Sequence, residues 1–143
     1  MRDEEHARTS KLRRLMRTFN LKRDERSAFA LEMELMSGGH EVLYPALSLS
    51  FGEQVFPMAL AVPGQGICTL EVFTTKRLVP VAYKPLTMVS ATIPDLIKQV
   101  RGQLINAFIM DSYTKHCTGL YMAEDKVKLL PLCNMPRPAQ HAL

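Results

Sequence analysis

Within seven positions, Asp111 to Cys117, the chain gathers an aspartate, a serine, a tyrosine, a lysine, a histidine and a cysteine. Such a set could support nucleophilic catalysis, with a thiolate attacking while an imidazole and a carboxylate manage the proton. His116 and Cys117 are adjacent, so in an extended strand they point to opposite faces and do not form a dyad by themselves. His40 or Asp111 would have to be brought to Cys117 by the fold. The simpler reading is a solvated connecting loop, since loops concentrate such residues. Gly64-Gln65-Gly66 lacks the Lys-Ser/Thr of a phosphate-binding loop, and there is no Cys-x-x-Cys, no His-Glu-x-x-His and no carboxylate cluster at metal spacing. The chain is therefore read as non-enzymatic, with no cofactor, no metal and no evident small-molecule substrate. A cysteine-dependent enzyme centred on Cys117 is the alternative from another class.

The second chemical feature is charge. Met1–Arg26 holds nine Lys/Arg against five Asp/Glu, a balance of +4, while the other 117 residues hold nine of each. No acidic residue falls between His6 and Arg23. A field concentrated in one segment can select an acidic partner. Leu12, Leu15, Met16 and Phe19 recur at i, i+3, i+4, i+7, which makes one apolar stripe of a short helix. Arg13, Arg14 and Arg17 fall mostly off that stripe. The candidate partner-binding set is therefore Arg8, Lys11, Arg13, Arg14 and Arg17, with Leu12, Leu15 and Phe19 as apolar anchors. A protein partner or self-association is expected. Nucleic acid is the alternative, since Arg and Lys neutralise phosphates, although the only aromatic in the arm lies on the apolar stripe.

Composition bounds what surrounds these features. A chain of 143 residues suits one compact domain plus a terminal extension. An apolar fraction of 47% and a charged fraction of 22% argue against disorder. No apolar run reaches the roughly 18–20 residues of a spanning helix, and the basic start is not followed by a signal-type apolar stretch. Three widely spaced cysteines, Cys68, Cys117 and Cys133, cannot pair completely and suit reduced thiols. The expected location is cytoplasmic.

The elements follow from pattern and punctuation. The arm helix begins near Thr9 or Ser10 and stops near Asn20. Asp24 caps a second helix that ends at Gly38-Gly39, with Phe29, Met33 and Met36 as its core stripe, flanked by Leu31 and Leu35. Alternation over Glu41–Phe51 and an apolar stretch over Gln54–Val62 read as strands. The second is broken by Pro57 and followed by a turn at residues 63–66 and a hairpin partner at Ile67–Thr74. Leu78–Tyr83 reads as a further short strand. Thr92 caps a third helix whose stripe is Ile93, Leu96, Ile97 and Val100, and Gly102 ends it. Leu104–Met110 has the length and composition of a strand, and Ala123–Leu130 reads as a last short helix. His40 is expected in a loop, Cys68 buried in a strand, and Cys133 exposed in a Pro-containing tail. The core is predicted to include Phe29, Met33, Leu47, Ala59, Leu70, Val72, Leu96, Val100, Leu104 and Phe108.

Together these predict an α+β fold: a single domain over residues 24–130 with a mainly antiparallel sheet flanked by helices. A basic amphipathic arm precedes it at residues 1–23, and a tail follows at 131–143. Five stretches, Glu25–Met36, Val42-Leu43-Tyr44-Pro45, Leu70-Glu71-Val72-Phe73-Thr74-Thr75, Ile93–Val100 and Leu104–Met110, resemble the SseB-like domain of the enhanced-serine-sensitivity family. The family's Asn-Pro-Gly-type turn is replaced here by Asp111-Ser112-Tyr113-Thr114. The resemblance covers roughly residues 24–130 and implies an interaction module without established catalytic residues.

Overall fold

The first 48 residues supply two helices and the strand that joins them to the sheets. The computed structural model describes residues 2–48, 55–57, 59–62, 66–83, 86–123 and 126–132. Helix α1 spans Arg2–Lys22, about twice the length that capping signals suggest: it begins a full two turns before Thr9 or Ser10 and passes Asn20 by two residues. Arg23 turns the chain in the left-handed region (φ 53°). The Asp24 carboxylate then accepts the Ser27 N–H at 2.8 Å and starts α2, Glu25–Ser37.

Strand β1 (Glu41–Ser48) lies between β2 (Val55–Pro57) and β5 (Thr87–Thr92) in a three-stranded antiparallel sheet. The second sheet has the order β3 (Leu60–Val62), β4 (Ile67–Val72), β6 (Ala107–Met110), β7 (Thr118–Ala123), β8 (Lys126–Pro131). Among the described strands only β4 and β6 run parallel, in register Leu70 with Phe108 and Val72 with Met110. Leu43 and Phe73 exchange two backbone hydrogen bonds of 2.8 Å and tie the sheets together. Helix α3 (Ile93–Val100) starts where Thr92 accepts the Asp95 N–H, with Pro94 in its first turn. The fold is α+β, with mostly antiparallel sheets and an N-terminal helix.

The core joins all three helices to both sheets. Leu70, Val72, Leu96, Val100 and Phe108 are buried as expected, and Ala59 packs against them half-buried. Leu12, Met16 and Phe19 belong to the same core, so α1 is an integral layer of the domain and not an appended arm.

Several expectations are corrected. Phe29 and Met33 are 64% and 50% exposed, and α2 buries Ser27, Leu31 and Leu35 in their place. Leu104 is 88% exposed, because β6 begins only at Ala107 and an irregular entry buries Ile105 instead. The stretch 78–83 forms no strand: two short 3-10 turns, Lys76–Leu78 and Val81–Tyr83, flank Pro80 and lay Tyr83 against Phe73, ring centres 5.9 Å apart. Residues 126–131 form β8 where a helix was expected, since Lys126, Val127, Lys128 and Leu129 alternate outward and inward with period two. The apolar stretch 54–62 divides into β2 and β3, which serve different sheets. The hairpin with Ile67–Val72 is present as β3–β4. The side chains of Arg8 and Leu47, the turn at 63–65, Cys133 and the tail beyond 132 lie outside the described residues.

Candidate interaction surface

Two constellations emerge, one inside the molecule and one on its surface. The internal one is the loop 111–117. Strand β6 ends at Met110, and Asp111 follows it in the left-handed region (φ 53°), beside the end of its parallel neighbour β4. The Asp111 carboxylate is fully buried and accepts three hydrogen bonds: Thr74 N–H at 2.8 Å, Thr74 hydroxyl at 2.7 Å, and His116 Nε2 at 2.7 Å. Thr114 closes the loop by donating its hydroxyl to the Asp111 carbonyl at 2.7 Å. His116 thus turns to Asp111, and Cys117 is buried behind it. The loop is not the solvated connection expected. Its polar groups form a satisfied network that locks two strand ends together, with the Ser112 hydroxyl alone lacking a hydrogen-bond partner among the described residues. Asn20 extends the network to α1 by donating to the Met16 carbonyl at 2.8 Å and the Thr118 hydroxyl at 3.1 Å.

The surface constellation lies on the α1–α2 hairpin. Lys11 reaches Glu34 across it at 3.3 Å, and His40 Nε2 meets the other Glu34 oxygen at 2.8 Å. His40 is buried by this contact and is not a free loop residue. The His40 hydrogen bond, followed by Lys11, holds the Glu34 carboxyl below the ordinary glutamate value of about 4.5. A lowered carboxyl stabilises the fold above its unfolded value, and that contribution disappears as pH falls through the folded one. Glu34→Gln should therefore melt below the wild type at pH 6. The gap should close as pH drops below about 4.5, read from thermal melts at a series of pH values.

The sequence-predicted binding residues divide between inside and outside. Leu12 and Phe19 are buried in the protein's own core, and Leu15 packs half-buried against it, so they are not free to anchor a partner. Lys11, Arg14 and Arg17 are exposed, and Arg13 is half-exposed. Among the described residues no ion pair engages Arg14 or Arg17. The apolar residues beside this basic face come from α2: Phe29, Met33 and Met36 are all exposed and stand at i, i+4, i+7. Helix α2 is thus apolar on both sides. The sequence signal for this was available, because Leu31/Leu35 and Phe29/Met33/Met36 form two stripes and a docked helix buries only one.

Comparison with family models, curated proteins and solved structures finds no match. Among the described residues, no group of three His, Cys, Asp or Glu is placed to hold a metal ion, and no helix is long and apolar enough to cross a membrane.

Proposed function

We propose that this protein is a non-enzymatic interaction module whose α1–α2 hairpin binds an acidic, apolar-bearing protein surface. The observation that carries the reading is the exposed stripe Phe29, Met33 and Met36 on α2, the helix joined to basic α1 through Lys11 and Glu34. A second apolar stripe on a helix that already buries Leu31 and Leu35 marks a contact surface. Methionine adapts to partner surfaces, and aromatic anchors rimmed by charge are how protein interfaces gain affinity and choice. The basic groups attract and orient the partner, while the stripe supplies the desolvated centre. The resemblance of residues 24–130 to the SseB-like domain points to the same class, and Cys68 and Cys117, which form no disulfide among the described residues, suit a cytoplasmic setting.

A fluorescein-labelled helical peptide, with leucines on one face and glutamates on the other, tests this by fluorescence anisotropy. Binding should fall at least tenfold in an Arg14→Glu/Arg17→Glu variant, with the loss shrinking at high salt as exposed charges are screened. Met33→Asp should also weaken it. Equal binding by all three proteins would refute the reading. Tight binding of oligonucleotides of any sequence, with a steep salt slope and no dependence on Met33, would replace it by nucleic-acid binding.

A further inference from the structure

We infer that the surface covering this face is the same face of a second copy, in an isologous dimer that sets α2 of one protomer against α1 of the other. The inference rests on the interaction reading above and names its partner. The first support is charge. The exposed side of α1 carries Lys11, Arg14, Arg17 and Lys22, with no acidic residue between His6 and Arg23. Helix α2 is of opposite character, with Glu25, Glu32 and Glu34 against the single Arg26. The chain therefore displays both halves of a complementary pair, side by side.

The second support is where these charges sit around each helix. At 100° per residue, Glu34 lies on the flank of α2 that meets α1, as its bond to Lys11 requires. Glu25 and Glu32 lie on the opposite flank. On α1, Lys11 marks the flank toward α2, and Arg17 lies on the far one. A two-fold axis parallel to the helices lays α2 antiparallel on α1 of the second copy. It also brings the Glu25/Glu32 flank alongside the second copy's Arg17 flank. The alternative two-fold arrangement stacks α2 on α2 and sets the Glu25/Glu32 flank against its own copy, where like charges repel. The complementary arrangement is thus selected by electrostatics.

The third support is the apolar content. Leu21, on the outward side of α1, is 74% exposed. In the proposed dimer the Phe29, Met33 and Met36 stripe covers Leu21 and the aliphatic stems of Arg14 and Arg17, whose charged ends stay at the rim. The contact is made twice, as a closed two-fold interface requires. A face set by a 13-residue helix is about 20 Å long, the scale of a modest interface, so association in the micromolar range is expected.

Sedimentation equilibrium of the full chain from 1 to 200 µM tests the inference. The mass should rise from 16.2 kDa toward twice that value. Met33→Asp should weaken association at least tenfold while leaving the circular dichroism of the folded chain unchanged, because the Met33 side chain is half exposed in the single chain and outside its core. Arg17→Glu and Glu32→Arg should each weaken self-association, and an equimolar mixture of the two should recover it, since each supplies the charge the other lost. A chain that stays monomeric at 200 µM, a dimer indifferent to Met33→Asp, or charge variants that fail to rescue each other would each overturn it. Should the chain prove monomeric, peptide binding sensitive to Arg14, Arg17 and Met33 would leave the interaction reading standing. Loss of both would remove both.

Discussion

Asp111→Ala should lower unfolding free energy by about 3–5 kcal/mol, measured by urea denaturation. The substitution removes one acceptor and leaves three donors stranded in a site closed to water: the Thr74 N–H, the Thr74 hydroxyl and His116 Nε2. Each buried orphan costs about 1–3 kcal/mol. The backbone adds to this, because residue 111 sits at φ 53°, a region that aspartate tolerates better than alanine. Asp111→Asn should cost less, since its carbonyl oxygen can still accept from Thr74. A variant as stable as wild type would show that the three bonds are not formed in solution. The effect belongs to stability, because Asp111 fastens the ends of β4 and β6 to the loop between β6 and β7.

The second large effect is a contrast within one experiment. Val72→Asp should cost about 4–5 kcal/mol by burying a carboxylate without a partner, whereas Leu104→Asp should stay within about 0.5 kcal/mol of wild type. Both residues are apolar and both lie in segments that read as strands. Val72 is fully buried beside Met110 in the parallel pair, and Leu104 is almost fully exposed. Equal losses in the two variants would contradict this placement.

Leu104 also shows where sequence reasoning ends. Its parity with Phe108 and Met110 would bury it if the strand ran unbroken from 104. Asn106 breaks that parity. Its side-chain oxygen accepts the Cys68 N–H at 3.0 Å and its amide donates to the Gly66 carbonyl at 2.8 Å, so a side chain does backbone work at the entry to β6. Nothing in the local pattern announces this, since the partners are about 40 residues away. In α2, by contrast, the period was legible but the face was not. Either of two apolar stripes could point inward, and the choice depends on the docked α1. The capping residues Asp24 and Thr92 were readable because a cap acts within three residues. The cluster of Asp111 and His116 was visible as composition, yet its pairing with Thr74 needed the parallel strand. Lys126–Leu130 reads locally as a helix because period two over five residues competes weakly with helix-forming lysines and leucines, and pairing with β7 decides for the strand.

The bond from Asn20 to Thr118 joins residues 98 apart and carries a consequence for how the protein is made. Helix α1 is synthesised well before β7, which supplies its contacts at Thr118. At roughly 5–20 residues per second the helix waits about 5–20 s for them. Until then the core that Leu12, Met16 and Phe19 enter lacks its β7 member, Leu120. Final seating of α1 therefore waits on a strand 98 residues downstream.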